Sequence, residues 1–396
     1  MKHLYLFTAT FPLGFQESFL ETELPFLMEK FESVTICPFG GGNTQSRKLP
    51  EGCLLDTTFV ASRTIRVIKG LFGIWRVFPM YVKDLTHNKA LQSTKSFQRW
   101  FKQLLICSYY RQSKIIKQLL KHGNPQEDLV YFYWGAIYNS IAPFLKNHCK
   151  MVSRFHGDGD LWISKNVEGY SPTREEIVQA LDSAIFISYV GESFFKKIHS
   201  GINTMTFHLG TIDMGVGIKS SDGVIRVLSC SAVYPLKRVD LIFETVKRLS
   251  EEYQVQWTHI GDGASFDDIK NKTKQCQLEN LKIELLGRLP HPAVLEYYKK
   301  NPVDVFVNLS TNEGIPVAVM EAISFDVPVV ATNVGGTAEI VNSKTGKLVS
   351  SNPSIDEVVN AYISVINSEL NPRSLWEKEF NAKLNYSSFA NYLYNI

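Results

Sequence analysis

Glu313 and Glu321 are separated by seven residues in the stretch STNEGIPVAVMEAISF. A carboxylate accepts hydrogen bonds from neighbouring hydroxyls strongly and in a fixed direction, which is the chemistry that holds a sugar or a ribose ring. The residues in front of them supply the setting. Val303, Val305, Phe306, Val307 and Leu309 form an almost unbroken apolar run, the pattern of a strand covered on both faces of a parallel sheet. The run stops at the polar turn Ser310 to Gly314, and open α/β sheets bind ligands at the carboxyl ends of their strands. Pro316 suits the first turn of a helix, so the unpaired amides and positive dipole end of that helix face the same edge, where a phosphate is the usual guest. The plainer reading is that Glu313 caps the helix and Glu321 lies on its solvated face. Val327 to Thr332 reads as a second strand, closed by Gly335 and Gly336, where backbone comes close to something.

Together, EGIPVAVMEA, VPVVATNVGG and Glu339 resemble the donor-binding motif of family-four retaining glycosyltransferases of the GT-B fold. The resemblance implies an α/β chain of two Rossmann-like domains facing a central cleft. It implies transfer of a sugar from a nucleotide diphosphate sugar, UDP favoured, to a glycan or lipid-linked acceptor hydroxyl, with no resident metal or cofactor. Glu313 then holds a sugar hydroxyl near the anomeric carbon, and Glu321 binds the ribose. Gly314, Ile315 and Val317 meet the donor beside them. SRFHGDGDLW resembles the segment whose histidine reaches the donor sugar, which makes His156 a site residue. Lys237 matches the family lysine on the diphosphate, but the arginine expected five residues earlier is Ala232. The second cation then falls to Arg238 or Arg288. Gly14 and Gly261 lie in turns that border the cleft in the family, and Arg288 and Leu289 lie near the nucleobase. His156 with Asp158 and Asp160 also permits a metal site, against which stands the family's habit of working without one. Rival readings are another GT-B enzyme, a phosphorylase or nucleotide-sugar epimerase, and a catalytically silent nucleotide-sugar-binding scaffold subunit, which the missing arginine at Ala232 favours.

The elements that must position these residues follow an alternating α/β pattern. HLYLFTA at residues 3–9 reads as a first buried strand, followed by the loop Thr10 to Phe15 and a helix carrying Phe19, Leu20, Leu24 and Leu27 on one stripe. Further strands read at Val34 to Cys37, Leu129 to Tyr133, Met151 to Phe155, Ala184 to Tyr189 and Thr204 to His208. The first domain is expected over 1–208, completed by a C-terminal helix over about 377–396, and the donor domain over 209–376. Residues 208–223 read as the linker, because glycines and polar residues replace the apolar periodicity there. In the second domain, strands read at Val224 to Cys230, Gln254 to Ile260 and Leu281 to Leu286. Neither G-x-G-x-x-G nor a Walker lysine loop is present, which argues against a dinucleotide dehydrogenase and a P-loop ATPase.

A length of 396 residues exceeds a usual single core, and 44% apolar with 20% charged residues are globular values. Six scattered cysteines form no C-x-x-C pair and read as reduced thiols of a cytoplasmic protein. Charge is unevenly spread. Residues 1–215 carry 24 Lys and Arg against 18 Asp and Glu, and residues 216–396 carry 18 against 21. Within residues 60–121 thirteen Lys or Arg face one acid, Asp84, and Ile65, Ile68, Leu71, Phe72, Trp75 and Phe78 are interleaved at helical spacing. Two readings stay open: a helix lying on an anionic membrane surface, or an apolar face packed inward with solvated charges. No nucleic-acid-binding motif accompanies the charge.

Overall fold

The apolar runs become two all-parallel sheets in the computed structural model, which describes residues 2–14, 17, 19–42, 45–87, 90–135, 137–157, 161 and 170–396. The chain divides into two units, Met1–Phe207 with Tyr386–Ile396, and His208–Asn385. The sheet of the first contains β1 (His3–Thr8), β2 (Ser33–Pro38), β3 (Leu54–Leu55), β4 (Asp128–Phe132), β5 (Lys150–Phe155), β6 (Ser183–Phe186) and β7 (Asn203–Thr206), in the order 3-2-1-4-5-6-7. Between the strands lie α1 (Leu20–Met28), α2 (Arg63–Gly73), α3 (Phe78–Thr86), α4 (Thr94–Arg111), α5 (Lys114–His122), α6 (Ala142–Leu145), α7 (Arg174–Ala180) and α8 (Tyr189–Ile198).

The second sheet contains β8 (Ile225–Cys230), β9 (Val255–Ile260), β10 (Leu281–Gly287), β11 (Val305–Asn308), β12 (Val329–Thr332) and β13 (Gly346–Val349), in the order 10-9-8-11-12-13. Its helices are α9 (Val239–Leu249), α10 (Phe266–Gln275), α11 (His291–Lys300), α12 (Val317–Ser324), α13 (Thr337–Ile340), α14 (Ile355–Ile366) and α15 (Pro372–Glu379), and α16 (Ala382–Asn395) ends the chain. In each sheet the strand order reverses once, between β1 and β4 and between β8 and β11. A doubly wound sheet opens its ligand crevice at that reversal, outside the carboxyl ends of the two strands. Val227, Trp257, Val305, Val307 and Val330 fill the core of the second sheet, and all are buried because helices cover both faces.

Three readings change. Tyr189 opens α8 instead of ending a strand, because the Ser188 side chain caps that helix by accepting from the Gly191 amide at 3.1 Å. The supposed linker is part of the second unit, where Thr211 bridges to Asn381 and the Gly217 amide donates to the Phe325 carbonyl. The aromatic tail is divided. Trp376 and Phe380 are buried in the second unit, where Trp376 Nε1 donates to Thr211 Oγ1 at 2.8 Å and Phe380 stacks on His208. Phe389 and Leu393 belong to the core of the first unit, which Tyr386–Ile396 completes.

Candidate functional site

Lys237 follows β8 and Glu313 follows β11, so the two strands at the reversal of the second sheet bring them together. Lys237 Nζ lies 2.6 Å from Glu313 Oε1, with both side chains largely covered. Asn308 fixes the acid further. Its Oδ1 accepts from the Ser310 amide and hydroxyl, and its Nδ2 donates to Glu313 Oε1 at 3.2 Å. The glycine turn after β12 exists for this segment. Gly335 has φ +54, and a Cβ there would stand 1.7 Å from the Glu313 carbonyl oxygen. The Gly336 amide donates to the Gly314 carbonyl at 2.8 Å. The close approach read from the sequence is therefore to the main chain that carries Glu313.

Glu321 lies on α12 with only 7% of its side chain exposed, so the solvated-face reading does not hold. Its Oε1 is 2.7 Å from Nε2 of His291, the first residue of α11. Burial, with the Glu321 carboxylate adding to it, pushes the Cys230 thiol at the end of β8 up to about 12. Ile315 is buried, and Gly314 and Val317 are half-buried. The Gly261 turn, after β9, abuts the loop that leads to Lys237. A Cβ there would meet the Ser231 carbonyl oxygen at 1.8 Å, and Ala232 in that loop is exposed. Arg288 is exposed and Leu289 half-buried just past β10.

Arg238 has backbone partners of its own. Its Nε donates to the Leu309 carbonyl at 2.5 Å, and Nη2 donates to the carbonyls of Ser310 and Ser351 at 3.1 and 2.9 Å. The guanidinium ties the end of β11 to the chain after β13. Its Nε and Nη2 are thus taken up by backbone, and its Nη1 lies 3.5 Å from the Asn352 side-chain oxygen.

His156 and Gly14 belong to the first unit. The half-buried His156 donates from Nε2 to the Tyr133 carbonyl at 2.9 Å, and its ring lies 4.4 Å from that of Trp134. Burial, helped by the Arg154 guanidinium, pulls its pKa down to about 3, so the imidazole is neutral at ordinary pH. At Gly14 a Cβ would meet Thr10 Oγ1 at 2.6 Å. Asp158 and Asp160 lie outside the described residues.

Sequence reasoning missed Glu17 and His291. Glu17 accepts from the amides of Ala9, Thr10 and Phe11 at 2.9, 2.8 and 2.8 Å and from Trp134 Nε1 at 2.6 Å. Those amides at the end of β1 are thus already paired within the chain. An acid just past a strand-end turn was the one signal on offer, and nothing near His291 announced its carboxylate partner.

Two parallel doubly wound sheets, with the acids and the lysine at one strand reversal, define the GT-B class of α/β proteins. Residues 218–382 match the family described as "Glycosyl transferases group 1", and the second unit is a domain of that family. An uncharacterized glycosyltransferase of Methanocaldococcus jannaschii is 24% identical over 272 residues, 65% of this chain and 72% of that one. The phosphatidylinositol N-acetylglucosaminyltransferase GPI3 subunit of Saccharomyces cerevisiae is 25% identical over 266 residues, 66% of this chain, and the match spans 55% of its length. The crystal structure of Anabaena HepE in complex with UDP superposes with a TM-score of 0.63 at 16% identity, covering both chains fully.

Proposed function

We propose that this chain transfers a sugar, with retention of anomeric configuration, from a nucleoside diphosphate sugar to a hydroxyl of a glycan or lipid-linked acceptor. UDP is the favoured carrier, a choice that the UDP complex of the similar HepE supports. The observation that carries the reading is the 2.6 Å contact between Lys237 and Glu313 at the strand reversal. In the reaction the bond from the anomeric carbon to the diphosphate oxygen breaks and a bond to the acceptor oxygen forms on the same face. The acceptor proton passes to the leaving phosphate, so the products are glycoside and nucleoside diphosphate. Lys237 and the first amides of α12 stabilise the charge that gathers on the leaving group, the kind of preorganised electrostatic help that dominates many enzymes. Glu313 holds a sugar hydroxyl and favours positive character at the anomeric carbon. Glu321 takes the ribose hydroxyls. His156, being neutral, serves as a sugar contact and not as a charged acid. The work takes place at an anionic membrane surface, a view supported by the cationic residues 60–121.

Glu313→Ala should cut turnover by roughly a hundredfold or more with the fold retained. Lys237→Ala should weaken nucleoside diphosphate affinity and turnover together. Near-wild-type turnover of Glu313→Ala, measured as release of nucleoside diphosphate in the presence of acceptor, removes that residue from the mechanism. A second reading, a binding subunit without turnover, draws on Ala232 and on the commitment of Arg238 to backbone. Tight diphosphate binding with no release from any nucleotide sugar selects it.

A further inference from the structure

The helices of the cationic stretch present an unusual surface. α2 buries only Gly70 and Gly73. At Gly70 a Cβ would stand 2.6 Å from the Leu105 carbonyl oxygen, so α2 lies backbone-close on α4. Ser108 Oγ donates to the Gly70 carbonyl and Gln112 Nε2 to the Lys69 carbonyl, at 2.6 and 2.7 Å, which locks the pair. A helix seated on glycines turns its large side chains outward, and Phe72 on α2 and Trp75 in the turn that follows it are 77% and 68% exposed. Toward the N-terminus of α2 and the middle of α4 the contact opens into a groove of about 770 Å³, lined by Ala61, Val67, Phe101 and Ile106 together with Arg63, Arg66 and Lys102. That volume falls within the range of sites that enclose small organic ligands.

Charge and geometry restrict the occupant. Asp84, the one acid among residues 60–121, is buried and accepts from the Tyr170 hydroxyl and the Thr173 amide, so no carboxylate of this stretch answers its cations at the surface. Within both helices the backbone groups are bonded to one another, which leaves apolar contact and positive charge as the means of recognition. Cations beside exposed Trp and Phe on a helix are the composition of a surface that sits in the headgroup layer of an anionic bilayer. The Arg76 guanidinium lies over the Trp75 ring at 4.3 Å, which lets the charge stay with the indole at such a boundary.

We propose that the α2–α4 groove takes one apolar chain of an anionic phospholipid, whose phosphate is met by Arg63, Arg66 and Lys102, while Phe72 and Trp75 enter the same bilayer. The proposal deepens the membrane part of the function above and does not depend on the transfer chemistry.

The test uses the full chain and two probes. The first is short-chain phosphatidylglycerol below its micelle concentration, titrated calorimetrically against the matching phosphatidylcholine. The wild type should bind the anionic lipid at one saturable site, with roughly tenfold weaker binding of the neutral one. Ala61→Trp, which fills the groove, and Arg63→Glu with Lys102→Glu should each lose that site. The second probe is sedimentation with vesicles of equal parts phosphatidylcholine and phosphatidylglycerol, where Phe72→Ala with Trp75→Ala should weaken binding roughly tenfold or more. Each variant is checked for an unchanged melting temperature and an unchanged shift with UDP. No uptake of monomeric phosphatidylglycerol by the wild type, or uptake unaltered in Ala61→Trp, overturns the proposal. So does capture of an acidic amphipathic peptide by a face that ignores lipid, which assigns it to a protein partner. Absence of lipid uptake by the wild type beside an intact UDP response rejects the groove alone, whereas no UDP response in the wild type rejects the glycosyltransferase reading.

Discussion

Glu321 has a partner that the family motif does not contain. His291 Nε2 meets one oxygen of the carboxylate at 2.7 Å, which fixes the plane in which the other oxygen is offered. If Glu321 reads ribose hydroxyls, His291→Ala should weaken UDP binding roughly tenfold while leaving the affinity for 2′,3′-dideoxy-UDP unchanged. His291→Gln, which can still donate, should restore the preference. Equal loss for both ligands in calorimetry makes His291 structural only. A second residue-scale expectation concerns acid. His259 is fully buried against Ser229, and burial pulls its pKa from 6.5 down to about 4. The unfolded chain therefore takes up the proton first, and stability present at neutral pH is lost as pH falls through 6.5 toward 4. His156 and His199, held at about 3 and about 4 chiefly by burial, act with the same sign. Urea unfolding should show a loss of roughly 1–2 kcal/mol from His259 between neutral pH and about pH 5, and His259→Gln should flatten that slope. Glu313, Glu321 and Lys237 were legible because local motif and strand pattern agree about them. The contacts that His291 and Arg238 make were not, because they lie 30 and about 70 residues away and belong to no local motif.

At the scale of elements, buried parallel strands write themselves into the sequence as apolar runs, which is why β8, β9, β11 and β12 were readable to within a residue or two. The two-residue β3 and the four-residue β13 carry too few apolar positions to stand out. The same logic explains what a stripe cannot say. Ile65, Ile68, Leu71 and Phe72 have helical spacing whether they face a core or water, and only the glycine seat of α2 turns them out. One long-range tie between elements was equally hidden. Arg154 on β5 donates from Nη1 to Glu23 on α1 at 2.6 Å and to the Tyr131 hydroxyl on β4 at 3.0 Å, with Phe389 4.2 Å below the guanidinium. Both ionic side chains are fully buried, and burial raises the Glu23 carboxyl above its usual range against the opposing pull of Arg154. Glu23→Ala or Arg154→Ala alone should cost about 3–5 kcal/mol in urea unfolding, because each leaves the other charge stranded. Replacing both, with Leu and Met, should cost far less. If the double replacement costs the sum of the singles, the pair is not the unit that matters.

For the whole molecule, the division of charge follows the division of labour proposed here. The half that holds Lys237, Glu313 and Glu321 is mildly acidic, and the excess of Lys and Arg lies in the other half. A nucleoside diphosphate should act on the second unit through Lys237 and the first amides of α12, against that half's slightly acidic net charge. In thermal unfolding UDP should raise the melting temperature more than ADP or GDP. At a hundredfold excess over its dissociation constant the gain should be about 2.7 kcal/mol. A larger shift with GDP would keep the reaction and change the carrier.

The glycine seat beneath α2 has one more effect. Because the residues that α2 buries are glycines, its exposed apolar positions are free to drift without disturbing the sheet behind it, much as a keyed plate can be swapped on a fixed mount. Exchanges on that outer face can thus change what the surface meets while the second unit is left as it is.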